Sequence, residues 1–307
     1  MSVLVVGTLA FDTIKTPHGY QERVLGGSAT YFALAASYFT EVAVVGVVGE
    51  DFSAQHENVL RERGVDTRGI MRAAGKTFHW SGEYVDSMNE AKTNLTELNV
   101  LEDFQPQIPE GLRATEFLFL ANIDPVLQSN VRRQMNGAKL VGGDTMNFWI
   151  AGKRAELAET LKAVDVLLIN DGEAKMLGAD ASLPRAASKV LEMGPRAVVI
   201  KHGEYGATIF FRDGAFGVGK HPFRAPALPL DEVRDPTGAG DSFAGGFMGY
   251  IAAQGEITRE VLKRAMFYGG VMGSFTVERF GPERLRELTR QEIDERFRTF
   301  RDLTHLE

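Results

Sequence analysis

Six short apolar runs constrain the fold of this chain more than any other feature of its sequence. They are rich in Val, Ile and Leu and lie at 3–7, 41–49, 117–121, 139–144, 164–170 and 196–203. Runs that are apolar at every position are typical of strands buried on both faces of a parallel sheet. Between and after them come segments with apolar residues at helical spacing, at 28–39, 52–63, 153–163, 183–193, 241–253 and 259–275. The alternation predicts an α/β layered fold with right-handed crossovers.

One region departs from this pattern and predicts a second sheet. In 76–100, polar and apolar residues alternate, as in HWSGEY, which is the period of an antiparallel strand with one polar face. Together with 14–25, this region predicts a small β lid. The remaining ranges, 1–13, 26–75 and 101–307, then form the main domain.

Two features near the end of the chain predict further elements. At 206–219, the pair Asp213-Gly214 lies between two apolar stretches and predicts a β-hairpin. The charged segment 284–307 has helical spacing and predicts a helical tail.

Composition excludes several classes of protein. The chain has 307 residues, a formal net charge of -7 and no cysteine. A nucleic-acid partner would need a basic face, and disulfides, thiolate nucleophiles and Cys-ligated zinc need cysteine. No apolar stretch approaches 18 residues, so we expect no membrane span. The opening MSVLVVGTLAFD lacks the basic segment of a secretory signal, so we expect a cytoplasmic protein.

The stretch DPTGAGDSFAGGF, which begins at Asp235, is the strongest candidate for chemistry. Pro236 cannot lie inside a helix, and the glycines that follow permit tight backbone turns, so a helix is predicted to begin near Ala239. The first N–H groups of a helix lack partners within it and attract anions, above all phosphate. Asp241, in the first turn, could take a proton from a hydroxyl group. A Gly-rich turn capped by an aspartate is the simpler alternative.

The same stretch resembles the C-terminal signature of the ribokinase-like (PfkB) carbohydrate kinase family. LGGSATYFALAASYF (25–39) is similar to the family's N-terminal Gly-Gly signature. The resemblance implies a three-layer α/β/α sandwich with a mainly parallel central sheet and a small β lid. It also implies ATP-dependent phosphorylation of a hydroxymethyl group, with Asp241 as catalytic base and Gly238, Ala239 and Gly240 as the anion hole. In appearance the chain is closest to bacterial nucleoside and sugar kinases.

The resemblance also implies an acceptor site. Asp12, in GTLAFD, matches the family's substrate-binding aspartate, and Gly26 and Gly27 match glycines that let the backbone approach the sugar. Tyr31 stands where the family often has asparagine, which argues against simple ribose specificity. A turn or helix-cap role is the alternative for Asp12.

Further acceptor candidates follow two of the apolar runs. Asn122 and Asp124 come after FLFLA, and Asp144 opens a stretch that partly resembles the Asp-x-Asn-x-Arg motif of sugar kinases, with Trp149 in place of the arginine. Ligands gather at the carboxyl ends of strands in open α/β sheets. Polar residues at the edge of the core are the alternative.

The nucleotide site is implied by three further matches. Asn170 and Glu173 fit the family's Asn-x-x-Glu motif, so Glu173 is expected to hold Mg²⁺ through water. The nucleotide loop is matched by Lys201, Gly203 and Gly206, and a monovalent cation, K⁺, is implied at Asp235 and Thr237.

Two other functions are alternatives to a kinase. A dinucleotide-dependent dehydrogenase should show GxGxxG after the first strand, and GTLAFD does not. A non-catalytic sugar- or nucleoside-binding regulatory protein on the same fold remains the alternative, although Asp241 and the Gly-Ala-Gly stretch are intact. A small-molecule sugar or nucleoside is the expected partner. The edges of the lid sheet also predict a homodimer.

Overall fold

The computed structural model describes residues 1–85, 88–89, 91–217 and 219–304. The predicted lid range includes 86–87 and 90, the predicted hairpin includes 218, and the predicted tail includes 305–307. These residues lie outside the described part of the chain.

Thirteen strands are present in the described residues, and they form two sheets. In chain order they are β1 (Ser2–Val6), β2 (Ala10–Thr16), β3 (Gly19–Gly26), β4 (Glu41–Val48), β5 (Asp66–Arg72), β6 (Phe78–Glu83), β7 (Lys92–Glu97), β8 (Phe117–Leu120), β9 (Leu140–Gly143), β10 (Val166–Asn170), β11 (Ala197–Lys201), β12 (Ala207–Phe211) and β13 (Phe223–Ala225).

The helices of the described part cover both faces of the larger sheet. They are α1 (Ser28–Ala36), α2 (Ala54–Arg61), α3 (Pro125–Gln134), α4 (Asn147–Gly152), α5 (Arg154–Leu161), α6 (Asp171–Gly178), α7 (Leu183–Glu192), α8 (Ala239–Gln254), α9 (Arg259–Thr276), α10 (Glu283–Glu287) and α11 (Arg290–Asp302). None of the helices described is long and apolar enough to cross a membrane.

The nine-stranded sheet confirms the predicted α/β fold. Its order is β13-β12-β11-β10-β9-β8-β1-β4-β5, and the strands from β11 to β5 are parallel. In β1, Val3 and Val5 face the core beneath α1, α8 and α9, while Leu4 and Val6 face the core beneath α3, α5 and α7. All four side chains are fully buried. The apolar runs were informative because each strand buries both of its faces.

The strand order reverses at β1, which lies between β8 and β4. The carboxyl ends of β1 and β8 therefore flank a topological switch point, where ligands bind in folds of this kind. Helix α8 packs against α1 at this point. A Cβ on Gly245 would lie 2.4 Å from the carbonyl oxygen of Phe32, so this glycine allows the close approach of the two helices.

The smaller sheet has the order β3-β2-β6-β7, and we call it the small sheet. Its outer pairs are antiparallel as predicted, but the central pair of β2 and β6 is parallel, from Ala10 opposite Phe78 to Lys15 opposite Glu83. The antiparallel strands predicted within 76–100 are β6 and β7, whereas the sequence did not predict the parallel pairing, because the chain passes through β4 and β5 of the main sheet before it returns. Asp12 lies within β2, whereas β1 ends at Val6.

The prediction of a hairpin at 206–219 was wrong about the second strand, which lies beyond this range. β12 pairs with β11 and with β13, so the partner strand begins only at Phe223. The segment after the Asp-Gly turn contains a 3-10 turn, Ala215–Gly217, instead of a strand. Phe216 lies under the Arg196 guanidinium, 3.9 Å from ring centre to Cζ, and this contact holds the segment away from β12.

Candidate active site

The start of α8 lies where the Gly-rich stretch predicted it. Gly238 is the N-cap residue, with φ 76° and ψ -1°, and no side chain caps the helix. The N–H of Ala239 donates to the carbonyl of Pro236 at 3.1 Å, so this predicted member of the anion hole is already engaged. The amides of Gly238 and Gly240 have no acceptor in the described part of the chain. Two open amides, rather than three, therefore face the site.

Tyr31 supports the glycine turn from below. A Cβ on Gly238 would lie 2.3–2.5 Å from three ring carbons of Tyr31, so the ring lies flat against this glycine. Tyr31 is 1% exposed, and its buried hydroxyl has no hydrogen-bond partner among the described residues. The Tyr31 ring therefore packs against the glycine that precedes α8, and its predicted part in the acceptor pocket stays a prediction.

Lys201 ends strand β11 and reaches the same turn. Its Nζ lies 2.8 Å from the position that a Cβ of Gly240 would occupy. No hydrogen bond or salt bridge to this ammonium is present in the described residues. A cation and the positive end of a helix therefore meet without a neutralising anion in contact.

Three carboxylates surround this ammonium. Burial raises the pKa of Asp241 to about 6, although the charge of Lys201 acts in the opposite direction. Burial also raises the pKa values of Asp144 and Glu173, and each feels the charges of both Lys201 and Asp241. One Asp144 oxygen, Oδ1, is buried without a partner among the described residues. The charged groups near Asp144 are thus Asp241, Lys201 and Glu173, and its predicted part in acceptor binding stays a prediction.

Asn170 and Glu173 form a capping box at the start of α6. The Asn170 side chain accepts the Glu173 N–H, the Glu173 carboxylate accepts the Asn170 N–H, and both distances are 2.8 Å. The cap fixes the orientation of the glutamate. The helix cap is therefore present, and the role of Glu173 in holding Mg²⁺ stays a prediction.

Asp12 is a further buried carboxyl group within electrostatic reach of Asp241. It is 5% exposed and accepts a hydrogen bond from the backbone of Gly27. A Cβ on Gly26 would lie 1.9 Å from its Oδ2, so the missing side chain makes room for the carboxylate of Asp12. Burial and the charge of Asp235 raise the pKa of Asp12 to about 8, with a smaller contribution from Asp241. The charge of Asp241 therefore reaches Asp12.

The loop before α8 is held by two parts of the chain. The Asp235 carboxylate is fully buried and accepts the amides of Thr237 and Gly281, each at 2.9 Å. The Thr237 hydroxyl lies 3.2 Å from the hydroxyl of Tyr84, which follows β6 of the small sheet. Since both oxygens of Asp235 already accept amides, its role in this structure is to join the two loops. The monovalent cation remains a prediction.

Asn122 and Asp124 are engaged in the fold. The Asn122 amide oxygen accepts the Trp149 indole N–H at 3.0 Å. The Asp124 carboxylate caps α3 through the N–H of Val126 and also pairs with the Lys153 ammonium. The alternative reading of Asp124, a cap at the edge of the core, is thus the one that its contacts support.

A cavity of about 710 Å³ opens beside Lys201 and the start of α8. Its lining includes the predicted Gly203 and Gly206. Gly206 must be glycine, since its φ is +91° and a Cβ would lie 2.1 Å from the Ala225 carbonyl. Sequence reasoning missed the apolar part of the wall, which consists of Ala225, Leu228, Val233, Phe243, Met266 and Val277. No local motif marks these residues, because they meet only through the packing of α9 and the segment after β13.

The chain belongs to the pfkB family of carbohydrate kinases, whose sequence profile matches residues 2–287. It is similar to a cytidine kinase of Thermococcus kodakarensis, with 28% identity over 280 residues, 86% of this chain and 97% of that protein. It is also 30% identical over 271 residues to an ATP-dependent ribose-1-phosphate kinase of Halopiger xanaduensis, covering 85% of this chain and 83% of that protein. A nucleoside kinase of Burkholderia thailandensis, solved with inosine, shares the fold with a TM-score of 0.75 at 22% identity over 97% of this chain and 98% of that one. The protein is therefore a sugar or nucleoside kinase, an alcohol phosphotransferase.

The buried carboxyl group of Asp12 leads to a prediction about stability. Its pKa is about 8 in the folded protein against an ordinary value of 3.8, so the folded state loses stability as the pH rises through 8. We expect Asp12→Asn to raise the free energy of unfolding by about 1–3 kcal/mol at pH 8.5 and to change it little near pH 4. Urea denaturation at both pH values measures the difference.

Asp66 provides a control at which the same substitution should change the stability in the opposite direction. Its hydrogen bonds with Arg68 lower the pKa of this carboxyl, so the charged form stabilises the fold. Asp66→Asn should therefore be slightly less stable than the wild type at pH 8.5. A stability gain in Asp12→Asn that does not depend on pH would contradict the assignment.

Proposed function

We propose that this kinase transfers the γ-phosphoryl group of ATP to a hydroxymethyl group of a nucleoside or a sugar. The observation that carries the proposal is the start of α8, where two open glycine amides and the Lys201 ammonium lie beside the Asp241 carboxylate. Open amides at the start of a helix and a lysine ammonium are groups that bind phosphate. The cavity of about 710 Å³ that opens at this point is of a size suited to a nucleotide.

Asp241 serves as the general base in this proposal. With a pKa of about 6 its carboxylate is ionised at neutral pH, so it can take the proton of the acceptor hydroxyl as that oxygen attacks phosphorus. The glycine amides and Lys201 stabilise negative charge on the transferred group. Phosphoryl transfer depends mainly on such positioning and charge stabilisation.

Asp12 binds the acceptor from the opposite side. With a pKa of about 8 the Asp12 carboxyl group is protonated at neutral pH, so it can donate a hydrogen bond to one sugar hydroxyl and accept one from another while the backbone of Gly27 holds it. The small sheet, which carries Asp12, then covers the acceptor as a lid and excludes water.

Magnesium fits the oxygen atoms of this site. Glu173 and Asp144 lie around Lys201, and the Asp144 Oδ1 is buried without a partner in the described chain. Mg²⁺ prefers carboxylate, water and phosphate oxygens, and when bound it would neutralise charge on the transferred phosphate.

A nucleoside is the first candidate for the acceptor. Trp80 lies directly opposite Asp12 in the parallel pairing of β2 and β6. The two side chains point to the same face, so the indole is placed to stack on a base while Asp12 holds the ribose. The similar cytidine kinase also favours a nucleoside. The similar ribose-1-phosphate kinase makes a sugar phosphate the second candidate.

ADP release from MgATP tests the proposal with a panel of acceptors. The panel contains cytidine, adenosine, inosine, ribose, ribose 1-phosphate and fructose. We expect at least one nucleoside to stimulate release by about a hundredfold or more over the rate without acceptor. If acceptors bind, as measured by calorimetry, and none stimulates release, the regulatory binding-protein reading is correct.

We also propose that the protein is a homodimer formed through the small sheet. The exposed edge strands β3 and β7 leave backbone groups available for pairing with a second copy. Sedimentation equilibrium at micromolar concentration should give about twice the mass of the 33.7 kDa chain. A monomeric mass contradicts the dimer.

A further inference from the structure

A single side chain amide joins the ends of two strands behind the site. Gln128 lies on the buried face of α3 and is 2% exposed. Its Nε2 donates to the carbonyl oxygens of Leu120 at 3.1 Å, Ala121 at 3.0 Å and Asp144 at 3.0 Å. The first two residues end β8, and the third follows β9.

These hydrogen bonds fix the backbone of Asp144 on both sides. The Asp144 N–H donates to the Leu120 carbonyl at 3.1 Å, and the Asp144 carbonyl accepts from Gln128. The residue is therefore held at the end of β9 by the neighbouring strand and by α3. Its side chain is 7% exposed, and Oδ1 makes no hydrogen bond within the described residues.

The position is unusual for a polar side chain. The other buried residues of α3 are Pro125 and Val131, so Gln128 interrupts an apolar stripe. An apolar side chain there would leave the Ala121 and Asp144 carbonyls without this donor, and a carboxylate would repel all three oxygens. The amide is the residue type that suits this site.

We propose that Gln128 is a positioning residue, which holds the Asp144 carboxylate beside Asp241 by fixing the backbone of Asp144 at the end of β9. The proposal rests on the proposed function in one respect, the role of Asp241 as base. The charged groups that face Asp144 are Asp241 on α8, Lys201 on β11 and Glu173 on α6. When Asp144 shifts, its carboxyl group no longer keeps its place among these groups, and the arrangement needed for phosphoryl transfer is lost.

Gln128→Met tests the proposal because methionine fills the same volume without the donor. We expect kcat to fall about tenfold and the KM for the acceptor to change less than about twofold. A role confined to stability would leave kcat measured on folded protein unchanged.

Gln134→Met is the matched control. Gln134 lies on the same helix, donates to the Pro106 carbonyl at 2.9 Å and accepts the Ile108 N–H at 2.9 Å, so it joins α3 to a different loop. Its replacement removes comparable hydrogen bonds and should leave kcat and the pH profile unchanged. Equal kinetic effects of the two variants would overturn the proposal.

A double-mutant cycle with Asp144→Asn tests the route of the effect. If Gln128 acts through Asp144, adding Gln128→Met to Asp144→Asn should change kcat by less than about twofold. Effects that multiply would overturn the proposal. Should Gln128→Met fail to fold, Gln128→Asn, whose amide is one methylene short of the carbonyls, takes its place in the cycle.

A second measurement tests the positioning role of Gln128 independently of the proposed kinase function. The ¹³C chemical shift of the Asp144 carboxyl carbon can be compared at one pH in the wild type, Gln128→Met and Gln134→Met, with assignment from Asp144→Asn. Its chemical shift should change only in the Gln128 variant, and an unchanged chemical shift would overturn the positioning role. A wild type without kinase activity would overturn the proposed function alone.

Discussion

Replacement of Asp241 by asparagine is expected to lower kcat by at least about a hundredfold and to change the dissociation constant of MgATP by less than about threefold. Asparagine has the same shape and cannot accept the proton of the acceptor hydroxyl. The nucleotide site keeps its other groups, since the cavity, Lys201 and the glycine amides are provided by neighbouring residues. Steady-state kinetics and calorimetry with an unreactive ATP analogue measure the two quantities.

The pH profile of the wild type distinguishes a base from a merely charged residue. Since burial raises the pKa of Asp241 to about 6 in the protein without substrate, kcat/KM should fall about tenfold for each pH unit below that value. The residual rate of Asp241→Asn should lack this limb.

Glu260→Gln is the control for the loss of a carboxylate from the first turn of a helix. Glu260 occupies the first turn of α9, is exposed, and lies outside the proposed machinery. Its replacement should leave kcat unchanged. A near-normal kcat in Asp241→Asn would show that Asp241 is not the general base.

Gly238→Ala is expected to lower the free energy of unfolding by about 2–4 kcal/mol and kcat by at least about tenfold. Gly238 has φ +76°, a conformation that costs alanine energy, and the new Cβ would lie 2.3–2.5 Å from the Tyr31 ring. The ring is 1% exposed and enclosed by the core, so the glycine turn must move instead. That movement displaces the amides of the anion hole.

Gly64→Ala separates backbone strain from steric conflict. Gly64 has φ +72°, and nothing lies within 4 Å of a Cβ added there. We expect a loss of about 1 kcal/mol in the free energy of unfolding and normal kcat. Equal stability losses in the two variants, with activity intact in both, would show that the Tyr31 contact does not constrain the turn.

The sequence predicted those parts of the fold whose residue pattern has a single physical cause. The apolar runs predicted the parallel strands because burial on both faces permits few polar residues. β5 and its sequence DTRGIMR escaped prediction, since an edge strand tolerates polar residues. The parallel pairing of β2 with β6 also escaped, because register between distant segments is set by tertiary packing and not by local composition.

The sequence predicted the site only where a motif determines the backbone conformation. The Gly-rich stretch predicted the start of α8 and the position of Asp241 in its first turn. The sequence could not reveal that the Ala239 amide is engaged, that the Tyr31 ring supports Gly238, or that Lys153 pairs with Asp124. Gln128 carries no signal at all, because its three acceptors are backbone atoms.

A crystal structure with magnesium, an unreactive ATP analogue and the acceptor identified by the panel tests the central claim most directly. We expect an oxygen of the terminal phosphate within about 2.7–3.2 Å of the Gly238 or Gly240 amide nitrogen and of the Lys201 Nζ. The acceptor hydroxyl oxygen should lie at a similar distance from the Asp241 carboxylate. A terminal phosphate bound away from the start of α8, or an acceptor hydroxyl beyond reach of Asp241, would contradict the mechanism.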